Sequence, residues 1–132
     1  MRFSVPRIED DDPDMAGKLR AIFRDLENAL SKIRLDGSAI IGGGTPIEKH
    51  LSASATWNPA SVNDNAQTST TIAVTGALLG DEVTCSFSLD LQLMVLSGYV
   101  SASDVVTIVL SNNTGAPINL ASGTLRVSTW RH

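Results

Sequence analysis

Gly42, Gly43 and Gly44 follow the apolar pair Ile40 and Ile41 and precede Lys49 and His50, so phosphate binding is the first chemistry to consider. A phosphate-cradling loop ends in Gly-Lys-Ser/Thr, which brings a lysine and a magnesium-binding hydroxyl to the ligand. Here Thr45 and Pro46 follow the glycines, the dinucleotide spacing is missing, and no helix start supplies a positive dipole. Asp10, Asp12 and Asp14 alternate as in a calcium loop, but Met15 stands where that loop needs glycine and Ala21 where it needs glutamate. His50 and His132 are the only histidines, and no ordered set of nucleophile, base and orienting group accompanies them. Cys85 is alone, which excludes an intrachain disulfide and a cysteine-held zinc. Asn112 opens an Asn-Asn-Thr triplet that reads as a turn. The remaining candidates are aromatic: Trp57, Tyr99 and Trp130 could each stack on a sugar ring at a recognition surface. The expectation is a chain without catalytic residues, metal or cofactor.

These residues sit in three regions of different composition. Residues 1–12 have no period; Phe3, Val5, Pro6 and Ile8 read as an extended arm that orders on a partner's surface. Residues 13–36 carry helix signals at both ends. Asp12 can cap, Pro13 suits the first helical position, Lys32 and Arg34 lie in the last turn, and Gly37 follows as a C′ residue. Met15, Leu19, Ile22, Leu26, Ala29 and Ile33 are spaced alternately by four and three, a heptad seam that Phe23 and Leu30 widen on one flank. That stripe is compatible with packing on the chain's own domain, but the helix is long for the small domain that follows, which favours a short parallel coil, and the breadth of the stripe favours three chains. The expected trimer contacts are Leu19, Ile22, Leu26, Leu30 and Ile33, joined by Ile40 and Ile41 at the coil's base. Gly17 weakens the isolated helix by up to about 1 kcal/mol relative to alanine, making it dependent on packing.

Residues 37–50 form a glycine-rich joint, and from residue 51 the apolar period becomes two. Leu51, Ala53, Ala55 and Trp57 alternate with Ser52, Ser54 and Thr56. "TTIAVT", "EVTCSFSL", "QLMVLSGYVS", "VVTIVLS" and "GTLRVSTW" follow, separated by turn-rich stretches. The pattern predicts a mainly β protein, an antiparallel β-sandwich or jelly-roll-like domain over 51–132 preceded by the helix. Val83, Cys85, Phe87 and Leu89 share a face, which places Cys85 in the core. "VVTIVL" is apolar on both faces, and in so small a domain the second cover could come from a neighbouring subunit.

Only 18% of the 132 residues are charged, against about 25% in ordinary domains, and serine and threonine take up the difference. A net charge of −4 with thinly spread lysines and arginines argues against nucleic-acid binding. The N-terminus has no apolar leader and no run approaches a membrane span, so assembly in a cytoplasm is expected.

Residues 46–128 resemble a β-domain that recurs in small structural proteins of tailed bacteriophages. "SATWNPASV", "VTGALLGDEV" and "GYVSASDVVTIVLSNNTGAPINLASGTLRV" carry the resemblance. It implies a non-enzymatic virion protein, commonly a homotrimer, used on heads or tails. The partners would be further copies of the chain, the major capsid protein or tail proteins, and in some cases a host-surface glycan. The first 45 residues lie outside the resemblance.

Overall fold

The computed structural model describes residues 15–31 and 37–132, and the chain divides between residues 36 and 37 into two compact units. In the first, α1 spans Met15–Ser31, 17 residues or roughly 25 Å. Its apolar side chains are largely exposed: Phe23 is 61% accessible, Met15 41%, Leu19 40% and Leu26 36%, while Ile22 and Ala29 are half-buried. The capping residues Asp12, Pro13, Lys32 and Arg34 lie outside the described residues.

The second unit holds six strands: β1 (Lys49–Trp57), β2 (Ala66–Ala73), β3 (Glu82–Phe87), β4 (Val95–Ala102), β5 (Val105–Asn112) and β6 (Gly123–Arg131). They form two antiparallel three-stranded sheets, ordered β1-β6-β3 and β2-β5-β4, in a sandwich-like arrangement. Only β4 and β5 are joined as a hairpin within one sheet; every other connection between successive strands crosses from one sheet to the other. The core follows from the alternation. Val106, Ile108 and Leu110 on β5 are fully buried; the first two cluster with Leu125 and Val127 on β6 and with Val74 and Ala77. Burying one such side chain is worth about 1.5–3 kcal/mol. A second cluster of Val62, Met94, Leu110 and Leu120 fills the other end. Cys85 is half-buried against the first cluster, and burial pushes its thiol pKa up. Leu89, expected on the same face, lies beyond the end of β3 and is 38% exposed.

Gly98 on β4 leaves no room for a side chain: a Cβ there would stand 2.6 Å from Cδ1 of its cross-strand partner Ile108 and 2.9 Å from Val83 Cγ1 in the facing sheet. At one end of the sandwich, Arg131 donates from Nε and Nη2 to the two carboxylate oxygens of Asp81 at 2.8 and 2.7 Å, and from Nη2 to the Gly76 carbonyl at 3.1 Å. At the other end the wholly buried Asn112 donates from Nδ2 to the carbonyls of Val62 and Ala116, both at 2.8 Å. Its Oδ1 accepts from the backbone N–H and the hydroxyl of Thr114 at 3.0 and 2.7 Å. The Asn-Asn-Thr triplet is thus a turn whose first side chain is spent on the interior.

Candidate functional site

The glycine triplet resolves first. Ala39 and Ile47 pair across a small hairpin, with N···O distances of 2.9 and 2.7 Å, and the Gly44 N–H donates to the Ile41 carbonyl at 3.0 Å. Gly42 and Gly43 both take positive φ, 59° and 74°, the geometry of a two-residue turn that suits glycine. The stretch is a hairpin tip in the β unit, carrying Ile40 at 59% and Ile41 at 76% exposure. Gly37 does not take the left-handed conformation of a C′ glycine.

The two outer faces of the sandwich differ in chemistry. On the β2-β5-β4 sheet, Gln67, Ser69, Thr71 and Ala73 lie beside Val105, Thr107, Val109 and Ser111, with Val95, Ser97, Tyr99 and Ser101 beyond. None of these side chains is charged, and Tyr99 and Val95 are 56% and 58% exposed. The β5 residues of this face are half-buried, whereas their alternates Val106, Ile108, Leu110 and Asn112 are fully buried. "VVTIVL" is therefore central within its sheet, with its outer side only partly covered.

On the β1-β6-β3 sheet, Arg126 stands at the centre of rows of hydroxyls. Its cross-strand neighbours are Ser54 on β1 and Ser86 on β3; two residues along β6, Ser128 lies between Ser52 and Thr84. No carboxylate pairs with Arg126 among the described residues. Between β1 and β6 lies a shallow groove of about 360 Å³, lined by Ser52, Ala53, Ser54, Arg126, Val127 and Ser128. One end of this face carries Trp130 stacked on His50, ring centroids 4.1 Å apart and planes inclined 34°. Glu82 flanks Trp130 on the other side, with its carboxylate 3.6 Å from His132 Nε2.

The three aromatic candidates do not form one platform. Trp57 is half-buried, packs on both core clusters and meets Phe87 edge-to-face at 5.9 Å, so its ring belongs to the interior rather than to a recognition surface. The alternation Leu51, Ala53, Ala55, Trp57 explains this: the ring shares the inward row. Tyr99 and Trp130 lie on opposite outer faces. Of the expected trimer contacts, Leu19 and Leu26 are exposed and Ile22 half-buried on α1, and Ile40 and Ile41 are exposed on the hairpin. The side chain of Leu30, the whole of Ile33, the arm residues Phe3, Val5, Pro6 and Ile8, and the aspartates Asp10, Asp12 and Asp14 lie outside the described residues. Arg126 escaped the sequence reading, although its signal is there. In "GTLRVSTW", Leu125, Val127 and Thr129 form one row, which leaves Thr124, Arg126, Ser128 and Trp130 outward.

Among the described residues no group of three His, Cys, Asp or Glu side chains could hold a metal, and no helix is long and apolar enough to cross a membrane. No protein-family model, curated protein or solved structure matches the chain.

Proposed function

We propose that the chain is a non-enzymatic structural protein of a tailed-phage virion. It would be a homotrimer anchored by its N-terminal arm and helix, with the β unit as an outward, jelly-roll-like knob. The observation that carries this reading is the exposed seam of α1. Met15, Leu19 and Leu26 recur at coiled-coil spacing with Phe23 on the flank, and all four are at least 36% accessible in the single chain. Leucines at such positions are stabilised when other helices cover them, and a seam this broad suits three. Within the β unit, Ile40 and Ile41 are exposed at the hairpin tip, and the uncharged face of β2-β5-β4 offers a further place for knobs to meet. The virion assignment rests on the sequence resemblance. A decoration or head fibre on the capsid comes first; a tail fibre, tail tip or tail adaptor is the alternative. Either would assemble in the cytoplasm of the bacterial host.

Light scattering on the purified chain is expected to give three copies at micromolar concentration, and Leu26→Asp, which puts a charge into the seam, is expected to give monomers with an intact β unit. A monomeric wild type, or a variant that remains trimeric, would overturn the coil. Deleting residues 1–12 should leave the trimer folded but absent from particles; decorated heads or tails would show that the arm is not the anchor.

A second reading, a carbohydrate-binding module, is supported by the Trp130–His50 stack on a hydroxyl-rich face. Glycan-array binding above background separates it from a purely cementing role.

A further inference from the structure

The outer face of β1-β6-β3 joins three features: an arginine with no carboxylate partner among the described residues, a groove beside it and a stacked aromatic pair. Arg126 and Trp130 are four residues apart on the same side of β6, roughly 13 Å at strand spacing. That separation matches the length of a short saccharide, not of a single small ion. A guanidinium presents a planar fork of donors that fits a carboxylate, sulfate or phosphate group, while the indole offers an apolar face to a sugar ring. Ser52, Ser54 and Ser128 line the groove between them, and hydroxyls can both donate to and accept from sugar hydroxyls. The opposite outer face has Tyr99 and similar hydroxyls but no charged side chain. Electrostatics therefore selects one face.

We propose that this face binds an oligosaccharide carrying an acidic group, with Arg126 holding the anion and Trp130, backed by His50, stacking on a neighbouring ring. The proposal deepens the carbohydrate reading given above and rests on it. Glu82, whose side chain is 75% exposed, pairs with Trp130, four residues along β3 from Ser86 beside Arg126, so the ligand's charge is expected at the Arg126 end.

The test is titration of the full chain with digalacturonate, followed by the NMR signals of the Arg126 Nε–H and the Trp130 indole N–H. Neutral digalactoside and inorganic sulfate serve as separate probes. Digalacturonate is expected to move both signals saturably and to bind about tenfold more tightly than the neutral disaccharide. Arg126→Gln, a surface change that leaves the core intact, should reduce acidic binding to the neutral level, and Trp130→Ala should weaken both. Equal affinity for the acidic and neutral disaccharides would overturn the role of Arg126 while leaving a sugar site standing. No response to either would overturn both readings. A response of Arg126 alone, reproduced by sulfate at the same concentration, would reduce the site to ordinary ion pairing and overturn the proposal.

Discussion

Two polar staples hold opposite ends of the sandwich, and they use different chemistry. Asn112 is neutral, wholly buried and saturated: two donated and two accepted hydrogen bonds tie the end of β5 to Val62 and to the turn through Thr114 and Ala116. Asp81 and Arg131 form a bidentate ion pair whose arginine side chain is 23% exposed, joining the turn before β3 to the end of β6. At Asn112 no charge has to be desolvated, which would cost several kcal/mol per ion, whereas the Asp81 carboxylate, only 5% accessible, is offset by the bidentate guanidinium. The partly exposed corner tolerates charge and gains reach from the long arginine. One end of the fold should therefore ignore pH and salt while the other responds to both.

The largest effect is expected at the neutral staple. Asn112→Ala removes four hydrogen bonds and leaves the Thr114 N–H without its acceptor, while the carbonyls of Val62 and Ala116 keep only their bonds from the Ile118 N–H and the Thr114 hydroxyl. Urea unfolding should show a loss of about 2–3 kcal/mol, independent of pH. A loss below roughly 0.5 kcal/mol would mean that water replaces the amide.

A smaller, conditional loss is expected for Asp81→Asn. The hydrogen bonds from Arg131 hold the Asp81 carboxyl below its ordinary range, outweighing the opposing effect of burial. A folded-state pKa below the unfolded value of about 3.9 stabilises the protein above that value, and the stabilisation is lost as pH falls through the folded pKa. The gap between wild type and variant should be complete above roughly pH 5 and close at lower pH. If the gap persists undiminished at pH 2, the pair is not its source.

The smallest effect is expected at the exposed turn between β3 and β4, where Asp90 only accepts locally from the Gln92 N–H at 2.9 Å. Gln92 and Leu93 both have positive φ, 51° and 71°, and Leu93 is 90% exposed. Leucine disfavours this conformation and gains nothing there from burial. Leu93→Gly is expected to raise stability by about 0.5–1 kcal/mol, the relieved strain exceeding the extra chain entropy. Lower stability would show that the leucine makes contacts that outweigh its backbone cost.

The alternation of apolar residues made much of the fold legible. Leu51, Ala53 and Trp57 on β1, and Val83, Cys85 and Phe87 on β3, all point as their spacing requires. β2 was harder. Its strand begins at Ala66, four residues before the apolar stretch that signals it, because "AQTS" lies on an edge with little to bury. The sheet order was not legible, since alternation tells a strand which side is inward but not which strand lies beside it. The candidate site was half legible. Trp130 stands out by type, whereas Arg126 acquires meaning only when Ser54 and Ser86 arrive beside it from strands far away in sequence.

The position of β6 has a consequence for synthesis. It is the last of the six strands to be made and the centre of its sheet, with β1 and β3 pairing only to it. Until residues 123–131 leave the ribosome, β1 and β3 are two open strands without a middle, and the core lacks Leu125 and Val127. Closure of the sandwich is therefore held to the end of translation of this unit. A chain interrupted before residue 123 exposes unpaired strand edges of the kind that template aggregation.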